Sequence, residues 1–183
     1  MMEQRDPTLD GLLVVRSQRG DAAAFGLLVE QWQGRFVACA RRLTGDGHAA
    51  HDVVQDTWAA IIDRLRALQD PQAFASWAFR ILRNKCTDWH RANARRERAN
   101  RTAARELRSK GDTAGADSLE DALAILPEKQ RSAVVLYYWD GFSVPEIAEI
   151  EEAPVGTVKS RLYHARETLR RFLEEEGNNE QAR

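Results

Sequence analysis

The sequence predicts an all-α chain of two small helical domains joined by a flexible linker, the second a helix-turn-helix domain. Three observations carry this expectation. Apolar residues recur at helical spacing in every patterned segment and nowhere alternate convincingly with period two, so no strand is expected. A polar stretch from about Arg95 to Asp117, with Leu107 its single large apolar side chain, interrupts the pattern and cannot bury enough surface to fold alone. Beyond it a short capped helix, a break at Glu152-Ala153-Pro154 and a longer basic helix follow one another. The expected division is an N-terminal extension over 1–20, a first domain over 21–96, a linker over 97–117, a second domain over 118–174 and a mobile tail over 175–183.

The elements follow in order. Asp21 is placed to cap a helix that carries Phe25, Leu28, Val29, Trp32, Phe36, Ala40 and Leu43 on one stripe and stops at Gly45. A second helix, about His48 to Arg66, has Val54, Trp58, Ile61, Ile62 and Leu65 inward and Asp52, Gln55, Asp56 and Ala59 on another face. Asp70-Pro71 breaks the chain, and a third helix to about Arg98 turns Phe74, Ala78, Ile81, Leu82 and Trp89 inward. After the linker, Ser118-Leu119-Glu120-Asp121 reads as a capping box, and a helix from Pro127 to about Tyr138 ends in the turn Asp140-Gly141. Ser143 and Glu146 frame the start of a two-turn helix from Val144 to Ile150. The last helix, from Val155, faces inward with Val158, Leu162, Ala165 and Leu169. The first ten and last seven residues carry no readable pattern.

Composition narrows the class. No stretch approaches the roughly 18 apolar residues of a membrane span, and the first residues lack the apolar core of a signal peptide, so a cytosolic protein without membrane insertion is expected. Two cysteines, Cys39 and Cys86, are too few for a disulfide scaffold. Cys86 and His90, at i and i+4, raise a zinc reading with His48 or His51; burial of both cysteines on apolar stripes is the simpler account, and neither metal nor cofactor is expected. No nucleophile motif, glycine-rich phosphate loop or convergent acid pair appears, so the chain is not expected to be an enzyme.

The net charge of −1, from 27 basic and 28 acidic residues, hides a segregation of sign. The last helix carries Lys159, Arg161, Arg166, Arg170 and Arg171 against a single Glu167 before its acidic end, with Thr157, Lys159, Ser160, Tyr163, His164 and Arg170 outward. On the third helix Arg80, Arg83, Asn84, Thr87 and Arg91, spaced i, i+3, i+4, i+7 and i+11, share a second basic face. Phe74, Trp77 and Phe79 flank it, and a cationic groove with aromatic platforms suits unstacked single-stranded bases. Phe74 reads as core from its place on the Ile81 stripe, whereas Trp77 sits at the edge of both faces.

Four blocks in order, Ala49-Ala50-His51-Asp52-Val53-Val54-Gln55-Asp56-Thr57-Trp58, Phe74 through Asn84 with Asp88 and Arg91, Leu126-Pro127-Glu128-Lys129-Gln130-Arg131, and Pro154 through Arg161, closely resemble the extracytoplasmic-function group of the sigma-70 family of bacterial initiation factors. The resemblance spans about Asp21 to Phe172. It implies a bacterial, cytoplasmic, non-enzymatic factor whose partners are core RNA polymerase, promoter DNA and an anti-sigma factor. It assigns Asp52, Gln55 and Asp56 to the polymerase clamp, which their acidity suits. It assigns Trp77, Arg80, Arg83, Asn84, Thr87 and Arg91 to the melted −10 element, whose bases must leave the stack. Val155, Thr157, Lys159, Ser160, Arg161, Tyr163, His164, Arg166 and Arg170 fall to the −35 element, Lys159, Ser160 and Tyr163 as base readers and Arg166 and Arg170 as phosphate contacts.

The chain departs from the family's pattern at Glu151 and Glu152, where a leucine and a glycine are usual, and at His164, where an arginine is frequent. A carboxylate at an apolar turn position must reach solvent or a cation, and acids near DNA subtract from phosphate attraction. Two rival readings follow. A stand-alone helix-turn-helix regulator leaves everything before the linker unexplained, while a diverged factor that docks on polymerase or an anti-sigma protein without reading the −35 element draws on these three residues.

Overall fold

The computed structural model describes residues 7–103 and 122–181, and every regular element among them is helical. The helices are α1 (Pro7–Gln18), α2 (Ala22–Thr44), α3 (Gly47–Arg64), α4 (Phe74–Ala103), α5 (Glu128–Tyr138), α6 (Val144–Glu151) and α7 (Val155–Gln181). Single 3-10 turns at Leu65–Ala67 and Pro71–Ala73 lie between α3 and α4, and residues 122–124 are helical ahead of α5.

Local chemistry sets the boundaries. Asp21 accepts from the Ala24 amide at 3.0 Å, and Gly45, at φ 70°, closes α2 in the left-handed conformation that a Cβ would strain. Asp46 starts α3 by accepting from the amides of His48 and Ala49, and Asp70 starts the turn before α4 by accepting from Gln72. The Ala24 amide, and after it Arg16, hold the Asp21 carboxyl below its ordinary range.

The first domain is α2, α3 and α4 around an aromatic centre. Trp32, Phe36, Phe74 and Phe79 are fully buried, with Phe36 centred 5.0 Å from Trp58 and 5.3 Å from Phe79. Side chains of this size each contribute about 1.5–3 kcal/mol by leaving water. Phe74 is core, as its stripe indicated. Phe79, expected as a platform beside the basic groove, is instead buried beneath it. Ile62, expected inward, is 58% exposed, because the buried stripe of α3 runs through Val54, Trp58 and Ile61 and the 100° turn per residue carries Ile62 past its edge.

The N-terminal segment is more than an extension. α1 buries Leu13 and Val14 and brings Asp10, only 2% exposed, to accept hydrogen bonds from Trp32 Nε1 and Gln31 Nε2, both at 3.0 Å. Gln18 Nε2 donates to the carbonyls of Leu65 and Leu68 at 2.9 and 2.8 Å, satisfying backbone groups where α3 unwinds. The expected ends also shift elsewhere. Residues 97–103, read as the head of the linker, continue α4, and α7 runs through the tail to Gln181. The remainder of the linker and the Ser118 capping box lie outside the described residues.

The second domain wraps α5, α6 and α7 around Val134, Val135, Leu136, Ile147, Ile150, Val158, Leu162 and Ala165. The Ser143–Glu146 capping box is present in both directions. At the other end of α6, Glu152 adopts φ 50° and ψ 47°, the left-handed conformation that glycine usually supplies.

Candidate polymerase and nucleic-acid interfaces

Asp52, Gln55, Asp56 and Ala59 all lie exposed on α3, opposite a buried face of Val53, Val54, Thr57 and Trp58. The face is anchored from below, since Trp58 Nε1 donates to Gln33 Oε1 and Thr57 Oγ1 to the Val53 carbonyl. Asp52 and Asp56, with Gln55 beside them, therefore present a fixed negative surface on a rigid support.

The α4 face is assembled but not open. Asn84 and Arg91 are exposed, while Trp77, Arg80, Arg83 and Thr87 are half-buried. Trp77 leans on the core, with its ring 6.2 Å from that of Phe74. Three of the six expected strand contacts are occupied by the second domain. Arg83 Nη2 donates to the Ile150 carbonyl at 3.1 Å, Thr87 Oγ1 donates to Glu128 Oε1 at 2.7 Å, and Arg80 stands 3.9 Å from Glu152.

On α7, Val155, Lys159, Ser160, Tyr163, His164 and Arg166 are exposed, and Tyr163 and His164 stack edge to face at 5.4 Å. Arg170 is exposed between Glu167 and Glu174, at 3.1 and 3.9 Å. Thr157 is half-buried. Arg161, assigned to DNA by resemblance, points elsewhere. Its Nη1 lies 2.7 Å from Glu151 Oε2 in a pair whose side chains are 17% and 4% exposed, and the Ser132 hydroxyl donates to the other carboxylate oxygen. The cation that Glu151 needs at an apolar turn position is thus Arg161, and this carboxylate is withdrawn from any field acting on DNA.

Two family models match the chain in order, Sigma-70 region 2 over residues 28–96 and Sigma-70 region 4 over residues 116–169. The RNA polymerase sigma-H factor of Pseudomonas aeruginosa is 31% identical, the match covering 90% of this chain and 94% of that one. The ECF RNA polymerase sigma-E factor of Escherichia coli K12 is also 31% identical, over 87% and 92%. The chain belongs to the sigma-70 family, in its ECF group. It is a sigma factor that directs transcription initiation at promoters, with core RNA polymerase and promoter DNA as partners. Among solved structures, CnrH in complex with the cytosolic domain of CnrY is similar at TM-score 0.72 and 28% identity, over 91% of this chain and 98% of that one. RpoE in complex with the anti-sigma factor NepR from Bartonella quintana follows at TM-score 0.68 and 25% identity, over 82% and 96%. Among the described residues no helix of this sigma factor is long and apolar enough to cross a membrane.

What sequence reasoning missed in this sigma factor is the contact between its domains. Phe142, 1% exposed, sets its ring 4.8 Å from Phe79. Around it Arg35 Nη2 donates to the Asp140 carbonyl at 2.9 Å, and the Arg42 guanidinium lies 5.4 Å from the Trp139 ring. At the C-terminal end of α2 the Leu43 carbonyl accepts from both His90 Nε2 and Arg131 Nη1, at 2.9 and 3.3 Å. The fit leaves gaps. Among the described residues Arg83 Nε and Arg131 Nε are buried without hydrogen-bond partners, and burial lowers the Arg131 pKa against the opposing pull of Glu128. A cavity of about 290 Å³ remains between the domains, reached by Arg83, Arg91, Lys129 and Glu152. Cys86 also borders it, its thiol pushed up to about 12 by burial and by Glu128, and burial, with Asp140 nearby, also pushes the Cys39 thiol well above its ordinary range. Phe142 carries the only sequence signal for this contact: a large aromatic in a turn, with no helix of its own to pack.

Proposed function

We propose that this initiation factor divides its task among three helical faces. Asp52, Gln55 and Asp56 on α3 engage a basic surface of core RNA polymerase. Trp77, Arg80, Arg83, Asn84, Thr87 and Arg91 on α4 hold the unstacked −10 strand, with Trp77 stacking and the cations tracking phosphates. Lys159, Ser160 and Tyr163 on α7 read the −35 duplex while Arg166 and Arg170 position it. The factor contributes no bond-making step of its own; the polymerase does the chemistry. It works in the bacterial cytoplasm, and the likeness to sigma factors solved with anti-sigma partners supports an anti-sigma protein as its regulator.

The observation that carries this reading is the exposed acidic face of α3 on the same three-helix core as the cationic face of α4, an arrangement that separates a protein-binding surface from a strand-binding one. The test is co-purification with core polymerase. Asp52→Arg with Gln55→Ala should weaken binding at least several-fold at unchanged circular dichroism; undiminished binding refutes the α3 assignment. DNase footprints with and without core polymerase separate this reading from a stand-alone regulator, which protects DNA by itself.

A further inference from the structure

We propose that Gln18 on α1 is a positioning residue for the −10 strand: it fixes the segment between α3 and α4 and thereby decides which bases the head of the α4 face accepts. The claim rests on the reading of that face as strand-binding. α1 lies ahead of residues 28–96, the span that matches region 2, so the matched region does not account for it. Yet α1 touches both 3-10 turns of the segment. At Leu65–Ala67 the Gln18 amide nitrogen, which carries two hydrogens, donates to the Leu65 carbonyl at 2.9 Å and to the Leu68 carbonyl at 2.8 Å. These carbonyls bracket the turn, whose own bond runs from the Leu68 amide to the Leu65 carbonyl at 3.1 Å. At Pro71–Ala73 the helix packs on the backbone itself: a Cβ on Gly11 would stand 3.5 Å from Gln72 Cγ and 3.8 Å from the Gln72 nitrogen.

The segment needs this outside support. Between Arg64 and Phe74 only Leu65 is buried, so its own packing fixes little of its backbone. α1, by contrast, is anchored: Asp10 accepts from Trp32 and Gln31 of α2, and the Trp32 ring lies 5.9 Å from that of Phe74, the first residue of α4. The segment also ends where the strand face begins. The spacing of Trp77, Arg80 and Asn84 runs back by one helical turn to Ala73, the last residue of the second 3-10 turn. Just before it Gln69, Asp70 and Gln72 are exposed, with Asp70 tied to its own turn through the Gln72 amide. The side-chain amides of Gln69 and Gln72 each offer donors and an acceptor to a base edge. Such groups discriminate between bases only while the backbone that carries them is held; on a loose segment they adjust to any base and the preference flattens. Gln18 supplies that hold from half-buried cover, without touching a base.

The experiment uses the full chain in holoenzyme. Gln18→Met keeps the length and apolar stem of the side chain and removes its donors, and Gln18→Lys restores donors at similar reach. Each variant is assembled with core polymerase and offered a pool of duplex fragments randomised at both promoter elements. Sequencing the retained fragments reads the −10 and −35 preferences separately, and circular dichroism gives the folded fraction. The expected result for Gln18→Met is a −10 preference flattened about three- to ten-fold, the size of a lost net hydrogen bond, with the −35 preference of the parent. Gln18→Lys should return the −10 preference toward the parent's. A purely structural role predicts instead an equal loss on all fragments in proportion to the folded fraction, and that result overturns the proposal. Asn84→Ala keeps two failures apart. If it alters −10 selection while Gln18→Met does not, the strand-binding face stands and α1 has no part in it. If Asn84→Ala leaves −10 selection as in the parent, the face assignment falls and the positioning role falls with it.

Discussion

Arg161 separates two accounts of the second domain, and one substitution decides between them. If Arg161 contacts the −35 element, Arg161→Met should leave the fold intact and change promoter binding. The structure predicts the reverse. The guanidinium lies 2.7 Å from a Glu151 carboxylate only 4% exposed, and Ser132 already donates to the other oxygen. Removing the cation strands a buried negative charge, which costs 3–5 kcal/mol in a fully buried pair; with Arg161 17% exposed, the lower end, about 3 kcal/mol, applies. For a chain of this size that corresponds to roughly 6–12 °C in midpoint. Glu151→Leu should cost less, because the freed guanidinium can extend to water. The double variant should recover most of the loss, with a coupling of about 1–3 kcal/mol in the cycle. Thermal and urea unfolding followed by circular dichroism give the stabilities, and holoenzyme binding to −35 variants gives the DNA term. A loss below about 1 kcal/mol for Arg161→Met, the size expected of an exposed pair, together with altered −35 preference, would refute the brace and return Arg161 to the DNA surface.

Three further outcomes are expected. Asp10→Ala leaves the Trp32 indole N–H buried without its acceptor and should cost about 1–3 kcal/mol, measured by urea unfolding; a near-neutral result would show that α1 is not anchored through this carboxylate. Asn84→Ala, exposed and outside the core, should reduce permanganate reactivity of promoter thymines several-fold in the open complex, and Trp77→Ala should do so with added instability because the ring also packs on Phe74. Normal melting in both would make the α4 face structural. Lys159→Ala should change which −35 sequences are preferred, whereas Arg166→Ala should weaken all of them alike and lower the salt slope by roughly one; identical uniform losses would mean that α7 reads no sequence.

The sequence made α2 legible from end to end, because Asp21 and Gly45 mark its termini chemically and its stripe recurs without error. The same logic failed at α1. Leu9 and Leu12 face water there, Leu13 and Val14 face in, and the anchor is a polar residue, Asp10, whose partner lies on α2; hydrophobic periodicity has no way to register a buried carboxylate. The basic face of α4 was legible because helical spacing alone brings Arg80, Arg83, Asn84, Thr87 and Arg91 together. Its covering was not, since it depends on Phe142, Glu128, Glu152 and the Ile150 carbonyl, from elements that no local pattern relates to α4. The withdrawal of Arg161 was half legible: Glu151 had to reach solvent or a cation, but the spacing of α7 left several cations as candidates, and only the path of the turn selects one.

The left-handed Glu152 has an evolutionary consequence. A side chain in this conformation costs about 1–2 kcal/mol that glycine would not incur. Any glutamate codon becomes a glycine codon by a single transition at its middle base, so the easier turn is one mutational step away. That step also deletes the carboxylate beside Arg80. The comfort of the α6 terminus and the grip of one domain on the other are therefore encoded at the same position with opposite signs, and a lineage drifting toward a sturdier turn would drift at once toward a looser closure.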